Sequence, residues 1–156
     1  AESLMPRLRP GTVVLGPQVG DIADAGRSAR AALAGLLAAP AWPESPELVE
    51  ADELLPERLL NGDPLAQRTL LADLYRPLVA AGGPLLETLS EYLAQGRSLE
   101  AAARALYVHP NTVRYRLRRI SQVVGWDATT PREAFVLQVA LAVGRLSATA
   151  GDHAGV

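Results

Sequence analysis

The sequence predicts a mainly α-helical protein built around a helix-turn-helix, with a short α/β segment at its N-terminal end. Apolar residues make up 49% of the 156 residues and are mostly Ala, Leu and Val, while only 4% of residues are aromatic. Ala and Leu are strong helix formers. Gly and Pro interrupt the chain at intervals that delimit short helices. The clearest helical pair lies between Ser98 and Gly125.

The N-terminal third contains the segment predicted as a strand. Residues 12–15 (TVVL) form a short β-branched run, which favours a strand. An Ala-rich helix is predicted over residues 19–38. Three prolines indicate a linker over residues 39–47, in which Trp42 is expected to pack on a neighbouring surface. The six acidic residues between positions 44 and 57 predict a solvated face.

Proline and glycine also delimit the helices that surround the central pair. Asp63 and Pro64 form a favourable N-cap and first helical position, and Pro77 is expected to break or bend the helix that follows. Residues 130–133 (TPRE) have the pattern of a capping box. The helices predicted in this way are residues 52–60, 64–75, 84–95 and 131–146. The small, polar tail of residues 147–156 is predicted to be disordered.

Two short helices joined by a brief turn are predicted between Ser98 and Gly125. Ser98 is a good N-cap for a first helix of about eight residues. His109 is predicted to cap the second helix, with Pro110 at its first position. That helix is predicted to run to about Val124. This arrangement is the unit in which the second helix enters the major groove of DNA.

The second helix has distinct apolar and polar faces at 100° per residue. Val113, Leu117, Ile120 and Val124 fall on one stripe, which is expected to face the core. The opposite side carries amide, hydroxyl, phenol and guanidinium groups, which suit base edges and phosphate oxygens. The face therefore predicts contact with DNA.

The charge distribution supports a local nucleic-acid surface in a weakly acidic chain. The net charge is −2 and all 15 basic residues are arginines. Residues 97–119 contain six of these arginines and one acid, a local charge of +5. A local basic footprint matters more for phosphate binding than the average over the chain. A solvated helix face is the alternative, but Glu100 is the one acid of the segment, and only Arg104 has it four residues away.

Each candidate contact has an expected role. The residues expected near base edges are His109, Asn111, Thr112 and Tyr115, and those expected at phosphates are Arg97, Ser98, Arg114, Arg118 and Arg119. Arg116 lies nearest the apolar stripe and is expected to be a structural ion-pair partner. Two of the candidates keep a structural alternative, since His109 could serve only as a cap and Tyr115 could cover an apolar neighbour.

Several segments resemble the PucR/CdaR family of bacterial transcriptional regulators. The decapeptide VHPNTVRYRL (residues 108–117) carries the resemblance, supported by LETL (residues 86–89) and Ala102-Ala103. The similarity extends over residues 131–146 and 51–78. It implies a Fis-like helical bundle that binds operator DNA. In detail the sequence is most similar to actinobacterial members associated with fatty-acid and mycolic-acid synthesis genes.

The resemblance also implies a domain organisation. Residues 1–43 are expected to be the C-terminal remnant of a GGDEF-like α/β effector domain with its linker. Residues 44–146 would be the DNA-binding domain and residues 147–156 a disordered tail. The rest of the α/β domain and its signature loop are absent, so no cyclase chemistry is carried over, and the chain is expected to be a fragment. Tyr107 stands where many such turns have Gly, and a positive φ there would be strained.

The expected partner is double-stranded DNA, bound by a homodimer or higher oligomer in the cytoplasm at the nucleoid. The resemblance further implies an acyl-CoA effector, bound by a region that is not in this chain. No enzyme, cofactor or metal role is predicted, because cysteine and phosphate-binding loops are absent and the two histidines are far apart in sequence. No membrane role is predicted, because the longest apolar runs are too short to span a bilayer. The alternative is a protein-interaction module whose basic helix docks an acidic partner, such as a polymerase subunit.

Overall fold

The computed structural model describes residues 11–153, with side chains as far as residue 149. Helices dominate, and two strands form one small parallel sheet, which confirms the predicted fold class. The chain divides into two compact units, one ending at Gln67 and one beginning at Arg68. This division lies later than the predicted boundary at residue 43, because the residues after the linker complete the first unit.

The elements follow in a simple order. In the first unit the strands are β1 (Val13–Leu15) and β2 (Leu48–Glu50), and the helices are α1 (Ala25–Ala38) and α2 (Leu55–Leu60). Helix α3 (Pro64–Thr69) is followed by a π-helical segment (Leu70–Tyr75). The second unit then continues with α4 (Arg76–Ala80), α5 (Leu85–Ala94), α6 (Leu99–Ala105), α7 (Pro110–Val124) and α8 (Pro131–His153).

Strand β2 pairs in parallel with β1, and the sequence did not predict it. The register aligns Val13 with Leu48 and Leu15 with Glu50. Val49 is buried in a cluster with Ala39 and Leu54, although it lies in an acidic stretch. Three residues are too few to show a periodic pattern, and parallel partners are far apart in sequence.

Helix α1 connects the two strands and begins six residues later than predicted. The Asp21 side chain accepts a hydrogen bond from the Ala23 amide at 2.8 Å and caps a short 3-10 turn that precedes the helix. A Cβ on Gly35 would lie 2.8 Å from Val14, so the missing side chain lets α1 approach β1. Trp42 is partly buried and packs against the apolar cluster, which confirms the predicted packing on a neighbouring surface.

The predicted solvated acidic face is wrong at its C-terminal end. Glu57 is buried, and its neighbour Arg58 is only 2% exposed. The Arg58 guanidinium donates to the Ala51 carbonyl and to the Asp63 carboxylate, both at 2.9 Å, and lies 3.4 Å from Asp52. The acids of this stretch therefore serve in part to hold a buried arginine.

The helix after Asp63 begins as predicted but does not stop at Tyr75. Asp63 accepts from the Leu65 amide at 2.9 Å, which confirms the N-cap. Helical structure then passes through the π-helical segment and Pro77 to Ala80. Pro77 has no N–H, and a wider turn before it removes the need for that donor.

Helix α8 packs on the π-helical segment and is longer than predicted. A Cβ on Gly144 would overlap the Tyr75 ring, so only glycine allows this approach. The helix continues to His153, so the disordered tail is wrong for residues 147–153, where alanines favour helix. Residues 154–156 lie outside the described residues.

The start of α8 uses the predicted capping residues with a different partner. The Glu133 carboxylate accepts from the Asp127 amide, and the Thr130 hydroxyl donates to the Asp127 carbonyl at 3.0 Å. Thr130 and Glu133 thus bind the loop before the helix. A reciprocal capping box would instead join their own backbone amides. The TPRE pattern therefore correctly predicts where the helix starts, while the hydrogen bonds of Thr130 and Glu133 hold the preceding loop at Asp127.

Candidate nucleic-acid interface

Helices α6 and α7 form the predicted helix-turn-helix. The Ser98 hydroxyl accepts from the Ala101 amide at 3.2 Å, which confirms Ser98 as the N-cap of α6. Ala102 and Ala103 are buried, and their small side chains allow α7 to pack closely against α6. A short turn, residues 106–109, connects the helices.

The turn contains a strained residue, and it lies at the position where the sequence left open either a positive φ or a turn of another type. Tyr107 adopts φ of 54°, and its side chain is 95% exposed. Arg97, at the entry to α6, also has a positive φ of 66°, which the sequence did not reveal. A non-glycine residue in this region is disfavoured by the contact of its Cβ with the backbone. The tight turn therefore has an energetic cost.

Replacing Tyr107 by Gly should raise the free energy of unfolding by about 1 kcal/mol, since relief of a 1–2 kcal/mol strain exceeds the added entropy cost of glycine. Few contacts are lost because the ring is exposed. Urea denaturation measures the change. Tyr107→Ala is the matched control, because it removes the ring and keeps the strain. If Gly and Ala were equally stable, the strain assignment would be wrong.

Helix α7 begins and ends as the sequence predicted. The His109 Nδ1 atom accepts from the Asn111 amide at 3.1 Å, and Pro110 occupies the first helical position. Because Nδ1 is the acceptor, the proton of the neutral ring lies on Nε2. Gly125 closes the helix in the left-handed conformation, with φ of 76°.

The apolar stripe of α7 faces the core. Val113, Leu117 and Ile120 are buried, and Val124 at the end of the stripe is half-buried. Helix α7 packs against α4, α5 and α6 through this side. The prediction that this stripe of α7 faces the core is therefore confirmed.

The polar candidates lie on the opposite side or beside it. Those that are exposed are His109, Asn111, Arg114, Tyr115, Arg118 and Arg119, and Thr112 is half-buried. Tyr115 is 67% exposed, which argues against the alternative that it covers an apolar neighbour. Asn111 Oδ1 accepts a hydrogen bond from Arg114 Nη1, and Arg119 donates to Gln122 at 3.3 Å. The candidates form one polar surface along α7.

Arg116 takes the structural role expected of it, with a different partner. Its Nη1 atom donates to the hydroxyl of buried Thr88 on α5 at 3.1 Å. The prediction of an ion pair is wrong in detail, because the partner is a hydroxyl. The bond satisfies a threonine that would otherwise be buried without a partner.

Residues 85–143 match the family model described as the PucR C-terminal helix-turn-helix domain. These residues belong to that family. The match begins at α5 and ends inside α8, so that it includes both helices of the motif.

The similarity to individual proteins extends beyond residues 85–143. An uncharacterized protein of Mycobacterium tuberculosis is 48% identical over 146 residues, which are 94% of this chain and 35% of that protein. The purine catabolism regulatory protein of Bacillus subtilis is 40% identical over 62 residues, 40% of this chain and 12% of that protein. The chain therefore spans at most about a third of the length of these relatives.

A solved structure is similar over nearly the whole chain. It is the regulator of polyketide synthase expression from Bifidobacterium adolescentis, with 42% identity and a TM-score of 0.83. The similarity covers 94% of this chain and 58% of that one. These two relatives with assigned names are thus both described as regulators.

A cleft on one side of the PucR-type helix pair was not predicted. It has a volume of about 500 Å³ and lies between α7, the start of α6 and the loop before α8. Its lining residues are Leu99, Arg114, Leu117, Arg118, Ser121, Gln122, Asp127 and Thr129. The loop residues are distant in sequence from α7 and could not have been found from its pattern. Within α7, Ser121 is half-buried and Gln122 is exposed, so only the place of these polar residues on the helical wheel could have suggested that they line the cleft.

Arg97 forms a hydrogen bond to the loop that lines this cleft. Its Nη1 atom donates to the Thr129 carbonyl at 3.3 Å, and the Asp127 carboxylate accepts from the Thr129 amide at 2.8 Å. Arg97 also lies near buried Tyr92. Burial raises the pKa of Tyr92 above its usual value, and Arg97 opposes this rise while Asp127 adds to it. Arg97 therefore joins the loop to the start of α6 and keeps other N–H groups for a ligand.

Other kinds of site receive no support from the described residues. In residues 11–153 no three His, Cys, Asp or Glu side chains come together as metal ligands. Over the same part of the chain, none of the helices combines the length and the apolar character of a membrane span.

Proposed function

We propose that this chain binds double-stranded DNA as the DNA-reading part of a transcriptional regulator, with α7 in the major groove. The exposed face of α7 carries the proposal. Arg114, Arg118 and Arg119 lie on it, and none forms an ion pair with a carboxylate of the described residues. Guanidinium groups without carboxylate partners suit phosphate oxygens.

The proposed contacts follow from position along the motif. The N-terminal part of a recognition helix reaches base edges. His109, Asn111, Thr112 and Tyr115 lie there and offer donors and acceptors. Arg118 and Arg119 lie one turn further along and would bind phosphates, as would Arg97 and Ser98 at the start of α6. This function requires no catalysis.

We propose a homodimer or higher oligomer as the DNA-binding species. A single unit of this kind buries too little surface for high specific affinity. In a symmetric dimer the two α7 helices would lie about 34 Å apart, to match half-sites one helical turn apart. A particle mass that remained monomeric on DNA would contradict this part of the proposal.

We further propose target genes for the synthesis of fatty acids or related acyl chains such as mycolic acids. The sequence resemblance supports this, and so does the similarity to a regulator of polyketide synthase expression. An acyl-CoA effector would bind a part of the regulator outside this chain. Action on chromosomal DNA would take place in the cytoplasm, at the nucleoid.

Selection of bound sequences from a random DNA pool tests the function. We expect one enriched motif, and its affinity should fall steeply between 50 and 200 mM salt, with a slope of about −0.9 per phosphate contact. Scrambled duplex of the same length is the control. The absence of both enrichment and salt dependence would overturn the proposal and favour an acidic protein partner.

Two variants of His109 separate its cap from a DNA contact. His109→Asn keeps an acceptor for the Asn111 amide and removes the imidazole donor, so DNA affinity should fall without a change in stability. His109→Ala should also lower the free energy of unfolding by about 1 kcal/mol, because the cap is lost. Thermal unfolding and DNA titration measure the two effects. Unchanged DNA affinity in His109→Asn would leave His109 as a cap alone.

A further inference from the structure

The first two turns of α7 contain a side-chain pair that changes the role expected of each member. Asn111 Oδ1 accepts a hydrogen bond from Arg114 Nη1, one turn further along the helix. Both side chains are exposed, and Arg114 forms no ion pair within the described residues. The pair is therefore held together at a surface that is free to meet a ligand.

The bond limits what Asn111 can do. An asparagine recognises adenine with its oxygen as acceptor and its NH₂ group as donor at the same time. In this structure the oxygen of Asn111 is directed to Arg114, and the bond fixes the plane of the amide. Asn111 is thus poorly arranged for bidentate contact with adenine.

The same bond prepares Arg114 for a specific contact. A guanidinium has five N–H groups in a rigid fork, and fixing one Nη atom leaves Nε and the other Nη atom available. A fork held in place before binding loses less conformational entropy when it binds. Two parallel N–H groups match the O6 and N7 acceptors of guanine.

Position along the helix separates Arg114 from the other arginines. Arg114 is the fifth residue of α7, in the part of a recognition helix that reaches base edges. Arg119 is also hydrogen bonded, to Gln122, but lies in the third turn, where phosphate contacts are expected. Arg114 thus combines a guanidinium that is held by a hydrogen bond with a position near the N-terminus of α7.

We infer that Arg114 reads a guanine in each half-site and that Asn111 is a positioning residue that orients Arg114. This inference rests on the proposed function. It reassigns Arg114 from phosphate binding to base reading, and Asn111 from base reading to the positioning of Arg114.

The test measures base preference at every operator position for the whole chain and its variants, by competition among all single-base-pair changes of the selected duplex. Arg114→Ala should remove the preference at one G·C pair, a loss of about 5- to 150-fold in discrimination. Arg114→Lys should lose most of it, because an ammonium cannot form the fork. Asn111→Ala should weaken preference at the same base pair by several-fold, and the double variant should be no worse there than Arg114→Ala.

Arg118→Ala is the matched control, with the same charge change one turn later. It should weaken binding to all sequences alike. Uniform weakening by Arg114→Ala as well would overturn the inference, and so would loss of preference at a separate A·T pair in Asn111→Ala. Either result leaves the proposed function intact if Arg118→Ala weakens binding. Failure of the unsubstituted chain to bind DNA would overturn both proposals. Both residues are exposed, and circular dichroism would verify that the variants fold.

Discussion

Replacement of Arg118 and Arg119 together by alanine is expected to reduce DNA affinity on the order of 50-fold at 0.1 M salt. Two phosphate contacts release about two counterions, and each contributes about 0.9 to the slope of log affinity against log salt. The slope should therefore become shallower by about 1.8. Fluorescence anisotropy of a labelled operator, titrated at several salt concentrations, measures both values.

A matched control uses arginines outside the basic segment. Arg68 and Arg76 are exposed and lie before the PucR-type domain. Their double alanine variant has the same net charge as the Arg118/Arg119 variant, so any effect of total charge is equal. We expect a change of less than about threefold, because distant exposed charges are largely screened at 0.1 M salt. Equal losses in the two double variants would contradict the interface on α7.

Arg58→Ala is expected to destabilise the first unit by about 3–5 kcal/mol, the effect of removing one partner from a buried ion pair. Arg58 is 2% exposed and holds the Asp63 carboxylate and the Ala51 carbonyl, each at 2.9 Å. Without the guanidinium, a largely buried carboxylate loses its partner. Hydrogen exchange of the Ala51 amide, which donates to the Leu15 carbonyl at 2.7 Å, reports on this unit alone.

Two further variants give the Arg58 prediction its controls. Arg30→Ala removes an exposed arginine of α1 and should change stability by less than about 0.5 kcal/mol. Arg58→Met combined with Asp63→Asn should recover part of the stability lost in Arg58→Met alone. Asparagine keeps the acceptor for the Leu65 amide and removes the unpaired charge. A loss of less than 1 kcal/mol in Arg58→Ala would refute a structural role for the buried ion pair.

Local chemistry explains why the helix-turn-helix was predictable from the sequence. Ser98, His109 and Gly125 act within three or four residues of their own positions, as caps or as a left-handed terminus. The apolar stripe of α7 depends only on the helical period. The hydrogen bond between Asn111 and Arg114 spans three residues, so it too was within reach of sequence reasoning, although it was not foreseen.

Residues separated by long stretches of chain required the tertiary structure. Strand β2 is too short to show a pattern and acquires its identity by pairing with β1, some 35 residues earlier. The sequence marked Arg116 as structural, but only packing decided that its partner is Thr88, 28 residues away. The cleft beside α7 likewise depends on Arg97 and Thr129, which are 32 residues apart. Thus the sequence by itself determined the helix-turn-helix and its polar face, because caps and periodicity are local. Only the tertiary structure decided which polar groups are used inside the protein and which remain exposed for a ligand.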